Sequence, residues 1–201
     1  PAGSYGLFFV INSDNSGEAI FSKDYRSWGS FFYDQKNDAL RAPIKIRDAS
    51  ATEMLTYSFD KVSKNAAELE LTWDKKQFPV KIEFDVDKIV MDNAAQELKG
   101  PTGFGWQGYF SAANYALQNN ANVDEALAWI DKAIAQNKTF NTLNVKSGLL
   151  NAKGNTDEAG KVMNEAMAIA TENELNLYAY NLLNSGQQDK AIEIFVLNTK
   201  K

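Results

Sequence analysis

"GNTDEA", Gly154–Ala159, stands between two apolar runs, and close variants occur twice more, "ANVDEA" at Ala121–Ala126 and "GQQDKA" at Gly186–Ala191. The alanines that end the three stretches, Ala126, Ala159 and Ala191, lie 33 and 32 residues apart. Leu117, Leu150 and Leu182 keep the same intervals, and Ile130, Met163 and Phe195 each follow their alanine by four residues. A small residue where two helices cross, a large one a turn later and a polar turn before both are the parts of a stacked helical hairpin. Asp124, Asp157 and Asp189 fall in the first turn of each second helix, where the positive end of the helix dipole favours a carboxylate. The spacing predicts three such hairpins over residues 103–201.

Upstream the period is two. Ala67–Asp74 and Phe78–Asp87 both alternate, and a turn at Lys75-Lys76 would bring Trp73, Leu71 and Leu69 beside Phe78, Val80 and Ile82 on one face. Glu70 and Lys81 would then meet on the other face. Leu40, Ala42, Ile44 and Ile46 alternate with Arg41, Lys45 and Arg47; Leu55, Tyr57 and Phe59 alternate with Met54, Thr56 and Ser58. "YGLFFVI" (Tyr5–Ile11) is apolar at every second position on both faces, as in a strand covered twice. "NSDNSG" (Asn12–Gly17) is a turn cluster. Five or six short strands joined by turns predict an antiparallel β-sandwich or partial barrel. The fold class is therefore α+β: residues 1–87 an antiparallel β-domain, 88–102 a connecting helix and Gly-rich joint, 103–201 the three hairpins.

Bulk properties narrow the function. The 201 residues carry 21 Lys+Arg against 26 Asp+Glu, a net charge of −5, which argues against nucleic acid or an anionic membrane as partner. No apolar run approaches the roughly 18 residues of a membrane-spanning helix. There is no cysteine and no histidine, so Ser-His-Asp and Cys-His catalysis and ordinary zinc sites are excluded within these residues. An enzyme would have to use carboxylates, Lys or Tyr. No cofactor or metal is expected. The chain opens on Pro1 rather than Met, which reads as a processed or truncated product.

Three groups of residues are candidates for binding. On the first helix of each hairpin, Asn141 and Asn173, Asn144 and Asn176, and Asn151 recur on one face, with Tyr115, Gln118, Asn119, Tyr180 and Asn184 beside them. An amide offers a donor and an acceptor together, which suits the backbone of an extended peptide; the alternative is a solvated face or one covered by the β-domain. The second group is Trp28, Phe31, Phe32 and Tyr33 in "WGSFFYD", aromatic faces able to stack on a sugar or to plug the end of the sandwich. The third is Glu83, Asp85 and Asp87 with Glu68 across the hairpin, carboxylates at period two that would suit calcium or glycoside hydrolysis or simply the wet side of an edge strand. The glycines of "GPTGFGWQG" (Gly100–Gly108) lack the strand and the Lys-Ser/Thr of a phosphate loop and read as a tight joint.

The helical half resembles tetratricopeptide repeats, whose period is close to this one. The family's aromatic near the repeat start is matched only by Phe110, with Leu143 and Leu175 after it, and its closing proline is missing. The first half, with "PAGSYGLFF", "IFSKDYRSWGSFFYD" and "LELTWDKKQFPVKI", resembles the domain-of-unknown-function family numbered 2911, uncharacterised and mostly exported bacterial proteins that often carry such helices. That resemblance implies a β-domain followed by helical repeats, export to the periplasm or cell envelope or secretion, and further sequence before "PAG", so that the β-domain is expected to be incomplete at its N-terminus. It offers no catalytic residues. The reading that follows is a non-catalytic scaffold that binds a protein or peptide. A carbohydrate-binding module using the aromatics is the alternative, and a carboxylate-dependent glycoside hydrolase the third.

Overall fold

A computed structural model describes residues 3–200; Pro1 and Ala2, the start of the quoted "PAGSYGLFF", and Lys201 lie outside the described residues. The chain is α+β and forms two compact units, Pro1–Val86 and Asp87–Lys201.

The first unit holds two antiparallel sheets. Strands β1 (Gly6–Ile11), β2 (Ser16–Ser22) and β3 (Asp38–Lys45) form one sheet in that order. The doubly covered strand is β2, with Ala19, Ile20 and Ser22 all buried, whereas β1 is an edge with Val10 and Ile11 exposed. "YGLFFVI" is apolar on both faces for a different reason. Phe8 packs on Tyr33 from the loop and Phe9 on Phe78 of the other sheet.

The second sheet pairs β4 (Arg47–Asp60) with β5 (Ala66–Glu83), with register breaks between Asp48 and Thr56. Nine residues of straight strand would hold Glu68 roughly 30 Å from Gln77. Arg47, the Cα partner of Gln77, nevertheless binds Glu68 at 2.6 Å, and Gln77 Nε2 donates to Glu70 at 2.7 Å. At the ends of the strand, Phe84 N–H reaches the Asn65 carbonyl. β5 therefore doubles back, and Asp74, at φ 49°, marks the reversal one residue before the expected Lys75-Lys76. Leu71 and Phe78 share the face that the alternation gives them and bury with Ile46, Ile44 and Phe9, but Trp73, expected beside Phe78, is 56% exposed. The period-two pattern stops earlier than expected: β5 ends at Glu83, and Asp87 belongs to a helix.

The second unit begins with α1 (Val86–Glu97) and a short 3-10 turn (Pro101–Phe104). Three helical hairpins follow: α2 (Trp106–Asn119) with α3 (Val123–Gln136), α4 (Phe140–Ala152) with α5 (Thr156–Ile169), and α6 (Glu172–Asn184) with α7 (Gln188–Asn198). Ala126, Ala159 and Ala191 are all 0% exposed, as their place at the helix crossing demands. Facing Ala159, the buried Ser147 hydroxyl donates to its carbonyl at 2.8 Å. Thr139 and Thr171 cap α4 and α6 through reciprocal bonds with Thr142 and Glu174. Between the helices of the second and third hairpins, Gly154 (φ 90°) and Gly186 (φ 79°) take the left-handed turn that glycine accepts without strain; Asn120 and Asn122 do so in the first.

The two junctions between hairpins differ. Val145 and Leu149 of α4 are 4% and 0% exposed, packed in one core with Ala113, Ala116 and Ile130 of the first hairpin. Gly148 lets α4 approach closely, since a Cβ there would lie 2.7 Å from Leu117. The equivalent residues of α6 are Leu177, 65% exposed, and Asn181, also exposed. The third hairpin docks instead through Leu175, Tyr178 and Ile194 against Phe140, Leu143, Ala166 and Met167.

Candidate functional site

Charge in the helical unit is segregated by helix. α2 contains no ionisable acid or base other than tyrosine, α4 only Lys146, and α6 only Glu172 and Glu174 in its capping turn. Lys146 is drawn aside to Asp131 at 2.8 Å. The second helices, α3, α5 and α7, carry acidic first turns and most of the remaining charge. The exposed face of each first helix is consequently rich in amides and, apart from Glu172 at the start of α6, without a formal charge.

On α4, Asn141 and Asn151 are exposed and Asn144 half-buried; on α6, Asn173, Asn176 and Asn184 are exposed, with Tyr180 resting edge-on against Phe195 at 5.2 Å. Positions 141, 144, 148 and 151 recur at three- and four-residue steps and so share one helix face, as do 173, 176, 180 and 184. Gln118 is exposed on the matching face of α2. Two expected members are already engaged. Tyr115 donates its hydroxyl to Asp87 Oδ1 at 2.8 Å, which holds the phenol above its ordinary pKa, and Asn119 Nδ2 donates to the Tyr115 carbonyl at 2.9 Å.

α1 lies along the first hairpin beside these positions. Between α1 and α2 is an open cavity of ≈ 440 Å³ whose walls include Val90, Ala94, Leu98, Gly108, Ala112 and Tyr115. Neither its shape nor α1's part in it was readable from periodicity.

The aromatic group in the β-unit divides. Trp28, Phe31 and Phe32 are 79%, 81% and 69% exposed, and the rings of Trp28 and Phe31 stack at 5.7 Å with 24° between planes. They do not plug the sandwich. Tyr33 turns inward, its hydroxyl donating to Asp38 at 2.8 Å and accepting from Arg41 at 3.0 Å. Arg41 also binds Glu18 at 2.6 Å.

The acidic group is not one face. Glu83 pairs with Lys81, Asp85 sits in the loop, and Asp87 is in the first turn of α1. The described residues contain no cluster of acidic, His or Cys side chains arranged to hold a metal. A different carboxylate pair forms on the ribbon. Glu68 takes both Arg47 guanidinium nitrogens and Lys61 Nζ, and these bonds hold its pKa down from 4.5 to about 2. Burial and the neighbouring Glu68 push Glu70 up. The pair was missed because Arg47 can be placed beside it only once the β4–β5 register is known.

Taken together the chain is a two-unit α+β protein with an antiparallel β-unit and a helical unit whose first helices present amides. Residues 1–82 match the model of a family described as a protein of unknown function, DUF2911, and that match ends before the first helix. No curated protein and no solved structure matches the chain. Among the described residues no helix is long and apolar enough to cross a membrane.

Proposed function

We propose that the chain is a non-catalytic scaffold whose tetratricopeptide-like helical unit binds an extended segment of another protein, working in the bacterial envelope as its family resemblance suggests. The observation that carries this reading is the recurrence of amides on faces that hold no cationic side chain. Asn141, Asn144, Asn173 and Asn176 present donors and acceptors there, the chemistry that holds a peptide backbone whatever its side chains. Because no Lys or Arg stands among these positions, the ligand is an internal segment rather than a terminal carboxylate. The test is selection of displayed dodecapeptides on the chain, followed by titration of the binders against Asn144→Ala/Asn176→Ala. Binders should weaken at least about tenfold, the loss of two ordinary hydrogen bonds. Unchanged affinity ends the reading.

A second reading rests on the stacked, exposed Trp28 and Phe31, a pair of faces suited to a sugar ring. Its test is binding to a glycan array that disappears in Trp28→Ala and survives in the double asparagine variant.

A further inference from the structure

The geometry points to the α1–α2 cavity as a subsite for one large apolar side chain of the bound peptide. The inference rests on the peptide-binding reading above and adds to it a specificity determinant. Gly108, Ser111 and Tyr115 line the cavity, and in the 33- and 32-residue frame they are the first-hairpin counterparts of Asn141, Asn144 and Gly148, and of Asn173, Asn176 and Tyr180. The cavity is therefore the continuation of the amide rows.

Its chemistry differs from theirs. Val90 and Ala94 on α1, with Leu98 just past its end, lie at four-residue steps and give one apolar wall; Ala112 of α2 also lines the cavity. The lining also includes the polar Thr102, Gln107 and Ser111 and the carboxylate of Glu97. A cavity of ≈ 440 Å³ with apolar walls and a few polar groups is of the size and kind that takes a ligand group. The walls are held in place. The Tyr115–Asp87 hydrogen bond ties α2 to α1, and a Cβ on Gly108 would lie 2.5 Å from the Thr102 carbonyl, so the 3-10 turn closes tightly on α2. An amide row can fix a peptide's backbone but not its register. A single fitted side chain at the end of the row supplies the register, in the manner of an interface anchor.

The experiment uses the full chain and the dodecapeptides it selects. The selected set should share one Leu, Met or Phe at a fixed place. Changing that residue to Gly should cost at least about tenfold in affinity, and Ala94→Trp, which fills the cavity, should cost the same without a further loss for the Gly peptide. Because a tryptophan could disturb α1, a second measurement is made on the wild type: the Val90 and Leu98 methyl resonances should shift with the Leu, Met or Phe peptide and not with its Gly counterpart. Peptides that depend on Asn144 and Asn176 but show no apolar preference, no response to Ala94→Trp and no methyl shift would overturn the subsite and leave the peptide-binding reading standing. Peptides indifferent to both sets of changes would remove both.

Discussion

The junction between the first and second hairpins and that between the second and third share one repeat frame, yet they pack differently. At the first, Val145 and Leu149 are sealed beneath α2 and α3, and Gly148 admits the close approach. At the second, the equivalent Leu177 stays in solvent and Asn181 occupies the place of Leu149. Two replacements at the centre of the contact remove the reason for the rest of it to form: an amide buried there without a partner would cost more than the neighbouring leucine gains, and Tyr180 stands where Gly148 lets the helices close. The third hairpin then leans on a different set, Leu175, Tyr178 and Ile194.

The comparison breaks most readily at its centre. Leu149→Ala should destabilise the helical unit by about 2–5 kcal/mol, as truncation of a fully buried leucine does, whereas Asn181→Ala should stay within about 0.5 kcal/mol; urea unfolding followed by circular dichroism reads both. Equal losses would show that the junctions are alike. The next effect is dynamic. Amides of α6 and α7 should exchange with deuterium about tenfold faster than those of α4 and α5, since less buried apolar surface holds the third hairpin. A smaller effect tests what the junctions share. Gly154→Ala and Gly186→Ala each place a side chain at positive φ and should each cost about 1 kcal/mol in thermal unfolding. Unequal costs would mean that the turns, and not the contacts, distinguish the hairpins.

A last and mildest measurement contrasts both junctions with the β-unit, where ions tie the ribbon together. Glu68 has a folded pKa below its ordinary 4.5, so its contribution to stability is complete above that value and is lost as the pH falls toward about 2. Glu70 is shifted upward and works in the opposite sense, which softens the loss. Glu68→Gln should therefore flatten the acid side of the β-unit's stability profile between those limits, read by thermal denaturation at each pH.

How much of this was legible follows from which residues speak locally. The alanine and leucine rows announce the hairpins because a close helix crossing tolerates little else, and all three alanines are fully buried. The Asn rows were visible because they recur at the same 32-residue offset. The unequal junctions were not, since Val145 and Leu177 both read as apolar and the difference lay in two other positions, Gly148 against Tyr180 and Leu149 against Asn181. The reversal of β5 was expected from alternation and so was a strand over 54–59, but the full length of β4 and its pairing with β5 were hidden by register breaks that no pattern of period two records. Asp87 was read as strand because Glu83, Asp85 and Asp87 keep the period, although the chain had already turned into α1.

Segregated charge gives the helical unit an electrical front and back. With the acidic turns of α3, α5 and α7 on the second helices, a negatively charged surface would repel the unit on that side and leave the amide side to approach. Substitutions that alter solubility or crowding behaviour can therefore be confined to the second helices, without changing what the first helices recognise.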